Sequence, residues 1–118
     1  MKRGEVWWAD LGEFRPLEQT GRRPVVIWQS ETLTSVLQSV LVIPLTTNLD
    51  RAALAGTAVI AASPEGLPDD SVALAFQMRA IPKSALDARV RALTADELAE
   101  LELATDEALG RVEPDVAG

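Results

Sequence analysis

A chain of 118 residues, 47% of them apolar, with a formal net charge of −7 is long enough to bury one core without disulfides and too short for several independent domains. It holds neither histidine nor cysteine, which excludes zinc and thiolate sites and every Ser-His or Cys-His arrangement, and leaves only hard cations held by carboxylates among the metals. An acidic total argues by itself against nucleic-acid binding, since phosphate contacts need clustered Lys and Arg. The excess acid lies mainly beyond residue 82, however, while Arg15, Arg22 and Arg23 make residues 14–25 locally positive. A local basic site on an acidic protein therefore stays open. The segment Met1 to Val6 lacks the apolar run of a signal peptide, and no stretch approaches the roughly 18 apolar residues of a membrane span. The expectation is a soluble, cytoplasmic protein.

Glu5 to Leu11 reads as a first strand, with Val6-Trp7-Trp8-Ala9 at its centre and the two tryptophans on opposite faces by the strand period of two. Gly12 to Gly21 carries Pro16, Glu13, Arg15 and Glu18 and reads as a long surface loop of a functional kind. Pro24 opens a second strand whose run Val25-Val26-Ile27-Trp28 is apolar enough to be buried on both faces. Gln29 to Thr32 suggests a helix start. A third strand follows over Ser39 to Leu45, where Pro44 marks an edge, a bulge or the strand end, because proline cannot donate to a central ladder. Thr46 and Thr47 then fall at the rim of the sheet.

Gly56 to Ala61 is the fourth strand, Pro64 to Asp70 a turn region, Ser71 to Leu74 the fifth strand, and Gln77 to Ile81 a further short one ended by Pro82. The last helix has the sharpest local signal. Thr94 with Glu97 forms a capping box flanked by Leu93 and Leu98, a cap worth about 1 kcal/mol. Leu98, Leu101, Thr105, Ala108 and Leu109 share a helical face, and Gly110 supplies the stop. Connections between the first three strands are too short for parallel crossovers, so the sheet should be mostly antiparallel. These readings give a mainly β domain over residues 1–112, a small, curved, partly barrel-like sheet with one packed C-terminal helix, and a short flexible tail over 113–118.

Without histidine or cysteine, a substrate that carries its own nucleophile fits best, and RNA does so in its 2′-hydroxyl, whose use requires no metal. Cleavage then needs a base near that hydroxyl, a cation against the charge developing on the phosphorane and a proton source for the 5′-oxygen. Arginine presents a planar fork that matches phosphate oxygens. Arg23, beside the rigid Pro24, is better placed than Arg22, which reads as a surface charge. A hydroxyl such as that of Thr46 can donate to a nonbridging oxygen, and Glu18 is the nearest carboxylate in sequence. Arg79, preceded by Gln77, fits either a rim ion pair or a phosphate contact. Trp7, Trp8 and Trp28 fit core positions, with base stacking as the alternative.

Arg3-Gly4-Glu5-Val6-Trp7 with Asp10-Leu11, Glu18-Gln19-Thr20-Gly21-Arg22-Arg23-Pro24-Val25-Val26, Pro44-Leu45-Thr46-Thr47-Asn48, Gly66-Leu67-Pro68-Asp69-Asp70-Ser71-Val72 and Gln77-Met78-Arg79-Ala80-Ile81 together resemble, in order and in register, the MazF/PemK family of toxin endoribonucleases. The resemblance implies a CcdB/PemK-type fold, a small SH3-like antiparallel β-barrel with a C-terminal helix, assembled as a homodimer that binds RNA along its groove. It implies metal-independent, sequence-specific cleavage of single-stranded RNA to 2′,3′-cyclic phosphate and 5′-hydroxyl ends, without a cofactor, and control by a MazE-like antitoxin. The family's catalytic arginine and threonine fall on Arg23 and Thr46 and its loop glutamate on Glu18, while Gln19, Thr47, Gln77 and Arg79 fall at RNA-contacting positions. Two departures, Leu17 where a small residue is common and Phe76 where an acidic one is, would lie near the RNA groove and alter base preference. The competing reading is a CcdB-like toxin that binds a protein target such as DNA gyrase and has no need of Arg23 and Thr46 together.

Overall fold

The third strand holds the sheet together. A computed structural model describes residues 1–12 and 21–114 of the chain, and in it β3 (Ser39–Thr46) pairs with three partners, all antiparallel. On one edge lies β2 (Arg22–Ile27), followed outward by β1 (Glu5–Asp10) and β7 (Leu86–Ala92); on the other edge lie β6 (Arg79–Pro82) and β5 (Ser71–Leu74), with β4 (Thr57–Ile60) outermost. Short α1 (Glu31–Val36) links β2 to β3, and α2 (Ala95–Ala108) closes the chain. The mainly β, antiparallel architecture with a C-terminal helix is as the sequence led us to expect. Among the described residues, β4 and β7 end the sheet without pairing, so it is open rather than a closed barrel.

Alternation along β2 sorts the core into two layers. Val26 and Trp28 join Val6, Ile43, Leu45, Ile60 and Leu67 under α2, against Leu101 and Ala104, whereas Val25 and Ile27 face the other way, with Ala9, Leu11, Val40, Val42 and Ile81. Burial on both faces is why Val25 to Trp28 is continuously apolar. Trp8 packs on the first layer and Trp7 on the second, the opposition their adjacency requires.

Pro44 sits inside β3 rather than at its end, and backbone geometry explains how. The Trp28 amide donates to the Leu41 carbonyl, so alternate residues Leu41, Ile43 and Leu45 turn their backbone groups toward β2 and Pro44 turns toward the opposite edge. There β6 accompanies Ser39 to Val42 and β5 accompanies Leu45 and Thr46. Pro44 thus falls at the handover between partners, where no ladder bond is forfeited.

Three sequence readings need correction. Residues 86–92 form β7, although no strand was expected between Pro82 and the last helix; Leu86, Ala88 and Val90 alternating with Asp87, Arg89 and Arg91 is a strand pattern diluted by charge. Gln77 belongs to a 3₁₀ turn over Ala75–Gln77 that separates β5 from β6, and strand β6 begins only at Arg79. On α2 the buried positions are Glu97, Leu101 and Ala104, while Leu109 lies exposed beyond the last turn. A one-residue phase difference in the face let Ala104 go unread.

The capping box at Thr94 is present, and Glu97 does more than cap. Its carboxylate accepts from the Thr94 amide at 2.9 Å, from the Ala61 amide at 3.0 Å and from both terminal nitrogens of Arg91 at 2.7 and 2.9 Å, so α2, β7 and the end of β4 meet on one buried side chain. Glu5, also buried, accepts from the Lys2 amide, the Trp7 indole and Arg89. Burial pushes both carboxyls up, but these hydrogen bonds, led by Arg89 on Glu5 and by Arg91 on Glu97, outweigh it and hold each at about 2.

Because both folded values lie below the unfolded carboxyl range, their stabilisation is complete above about pH 4.5 and is lost as pH falls toward 2. Glu97→Gln should cost about 2–4 kcal/mol in urea unfolding at neutral pH, with the gap to wild type narrowing steadily in melts taken from pH 5 to pH 2. Leu101→Ala, which empties a fully buried position between α2 and the sheet, should cost about 2–5 kcal/mol independently of pH.

Candidate functional site

β1 ends, β2 begins, β3 ends and β5 begins at one rim of the sheet. The neck of the long loop closes there too, through the Leu11 amide to the Gly21 carbonyl at 2.8 Å and the Gly21 amide to the Gly12 carbonyl at 3.0 Å. Both glycines have positive φ, 85° and 73°, a conformation side-chain-bearing residues adopt only at a cost. Glu18 and Gln19, expected to act in catalysis and in RNA contact, lie between these glycines and outside the described residues, as does Leu17.

Arg23 is half-buried on β2, aligned with Ala9 of β1. On its other side the ladder between β2 and β3 stops at Val25 and Pro44. The next position joins residue 24 to Leu45, where Pro24 has no amide hydrogen to give and only its carbonyl can accept, from the Leu45 amide. Carried two residues past Val25 and Pro44, the register would place Arg23 across from Thr46 at the mouth of the two strands, on one face of the sheet. Thr46 is buried, at 7% exposure, and its Oγ1 accepts from the Asn48 amide at 3.2 Å. That contact fixes the hydroxyl oxygen and leaves its O–H to donate.

Beside this mouth lies a cleft of about 210 Å³ lined by Trp8, Arg22, Arg23, Pro24, Thr47, Leu67, Pro68, Asp69 and Ser71. Its walls combine an indole, two prolines and a leucine with a carboxylate, hydroxyls and two guanidinium groups, a mixture suited to a planar, polar-edged ligand. Thr47 is exposed and lines the cleft, whereas Thr46 is buried and is not among its lining residues, so the two neighbouring threonines divide between the two parts of the rim.

Arg79 starts β6 opposite Val42 and shares the face of Ile81, Thr46 and Arg23; its Nη2 donates to the Leu11 carbonyl at 2.9 Å and ties β6 to the loop neck. Gln77 is half-buried on the adjoining 3₁₀ turn. Phe76, expected near the groove, is exposed and lies instead beside Gly56, near Ala104 and Ala108 of α2, and is not among the cleft's lining residues. Sequence reasoning passed over the Leu67-Pro68-Asp69 wall, whose turn-forming composition masks its place in the cleft. It also missed Asp87, which forms a two-point ion pair with Arg22 at 3.0 Å for both bonds and belongs to the unread strand β7.

Residues 2–109 match the family described as PemK-like, MazF-like toxin of type II toxin-antitoxin system. A protein named Endoribonuclease MazF from Staphylococcus saprophyticus is 34% identical over 110 residues, covering 93% of this chain and 92% of its own. Among solved structures, MazF from Deinococcus radiodurans superposes with a TM-score of 0.78 at 22% identity, over 93% of this chain and 96% of that one. An endoribonuclease in complex with its cognate antitoxin from Mycobacterial species does so with a TM-score of 0.76 at 23% identity, over 97% and 99%. At these identities the two structures speak for the fold alone, but the family match spans nearly the whole chain, and the chain belongs to the PemK-like, MazF-like toxins of type II toxin-antitoxin systems.

Proposed function

We propose that this chain is the toxin of a type II toxin-antitoxin pair and acts in the cytoplasm as a metal-independent endoribonuclease, cutting single-stranded RNA, mRNA above all, at a short sequence and thereby arresting translation and growth. The observation that supports the reading is that β2 and β3, adjacent in the sheet, bring Arg23 and Thr46 to one rim, in a chain of this family. Its substrate's 2′-oxygen attacks the adjacent phosphorus, a phosphorane forms, and the 5′-oxygen departs with a proton. The products are a 2′,3′-cyclic phosphate and a 5′-hydroxyl. Arg23 neutralises the charge growing on the nonbridging oxygens, the interaction that accelerates the step because it strengthens in the transition state. Thr46 adds a hydrogen bond to one of those oxygens, and Glu18 is the proposed proton acceptor. Thr47, Gln77, Arg79 and Gln19 hold the strand.

The same reading includes a MazE-like antitoxin, supported by the family's description, and a homodimer, supported by the apolar side chains of Leu33, Val36 and Leu37 that α1 leaves exposed. Among the described residues no helix is long and apolar enough to cross a membrane. The gyrase-directed alternative has no need of Arg23 and Thr46 together.

Purified protein, freed of antitoxin and assayed in EDTA on varied single-stranded RNAs, should cut at a recurrent sequence. Arg23→Ala should slow cleavage about 100-fold or more. An identical rate for the two proteins, or no cutting of any RNA, would sink the reading. Thr46→Val keeps the shape and removes the donor, and should lower kcat about 10- to 100-fold with little change in KM. Thr47→Val should act mainly on KM.

A further inference from the structure

Arg22 carries no role in the proposed chemistry, yet it is an exposed cation at the rim held by two partners. Its guanidinium carbon lies 4.5 Å from the centroid of the Trp8 ring, and its Nε and Nη2 form the paired hydrogen bonds to the two carboxylate oxygens of Asp87. Arg22 and Asp87 reach this contact from strands on either side of β1, which carries Trp8 between them. A bulge makes the contact feasible. On β7, Ala88 aligns with Trp8 and Leu86 with Ala9, which leaves Asp87 as the extra residue between them, and a bulge re-aims the side chain it carries.

One face of the guanidinium is therefore covered by indole and one edge is consumed by carboxylate, while the side chain remains 55% exposed. What stays open is the outward face of the plane and its Nη1 edge. Asp87 offsets the charge and occupies one of the two forked edges, Nε with Nη2, which weakens the pull of the group on a phosphate of the RNA backbone. An arginine plane held in this way suits an unpaired base, which stacks on guanidinium as it does on aromatic rings. Arg3 stands over Trp28 at 4.0 Å in a similar contact, but it pairs with Glu102 of α2 and lines no cleft with Arg23.

From this arrangement we infer that Arg22, locked between Trp8 and Asp87, is a stacking platform for one unpaired base of the RNA next to the phosphate held at Arg23, and so a positioning and specificity residue. The inference rests on the RNA-cleaving reading and takes its own measurement, binding rather than cleavage. In an Arg23→Ala background, the affinity of a short single-stranded RNA is compared with that of versions carrying one abasic nucleotide at each position in turn. One position should show a penalty of about 5- to 100-fold. In Arg22→Lys, which keeps the charge and loses the plane, the intact RNA should bind more weakly by a similar factor and the penalty at that position should vanish. Asp87→Asn, which loosens the plane, should shrink it. A penalty undiminished in Arg22→Lys would overturn the inference, as would the lack of any position whose penalty depends on residue 22. Failure of the wild type to cut RNA would count instead against the catalytic reading, since the abasic comparison is made without cleavage.

Discussion

The register between β2 and β3 is the constraint on which the site depends. Their backbone pairing runs to Val25 and Pro44; one step further Pro24 has no amide hydrogen to give, and only its carbonyl can accept, from the Leu45 amide. Arg23 stands just outside this paired region, held on its other side by β1, and Thr46 ends β3 with its oxygen fixed by the Asn48 amide. Pro44 keeps its place in the central strand because its imide nitrogen faces the point where β6 gives way to β5.

The negative net charge is reconciled with an anionic substrate by placement. Much of the acid is on α2, which packs on the Val26 and Leu45 face of the sheet, whereas Arg23, Thr46 and Arg79 belong to the face of Val25 and Ile81. Two of the buried carboxylates, Glu5 and Glu97, are spent internally on Arg89 and Arg91, and Asp87 is spent on Arg22. Charge at an RNA-binding rim is then a matter of which arginines are left outward-facing, a quantity that summed composition does not contain.

Much of the strand order along the chain was legible because apolar runs and turn residues alternate clearly from Glu5 to Asp70. The helix start at Thr94 was legible because a capping box is local chemistry, complete within four residues. β7 was not, since its Asp87, Arg89 and Arg91 look like a solvated stretch until their partners are seen: Arg22 and Glu5 are distant in sequence, and Glu97 reaches back from the next element, α2. Missing β7 hid Asp87, and with Asp87 hidden Arg22 read as a free surface charge. At the site, Arg23 and Thr46 were singled out from residue type and from family resemblance, while the cleft wall at Leu67 to Asp69 was hidden in a segment whose prolines and aspartates announce only a turn.

By itself the sequence limited the chemistry open to this protein: without imidazole or thiol it has arginine, hydroxyl and carboxylate to work with, on a small antiparallel β domain with one capped helix. Those conclusions rest on residue types and on contacts within a turn or a strand, which are local. Only the tertiary structure decided that Arg23 and Thr46 come to one rim, that Thr47 turns into the cleft, that the sheet stays open, and that Arg22, beside Arg23, lies over a tryptophan and pairs with Asp87. The physical reason is register. A side chain's face and partner are set by which residue of a distant strand lies opposite, and by bulges and missing amides that shift or end that pairing, and neither can be read from one strand alone.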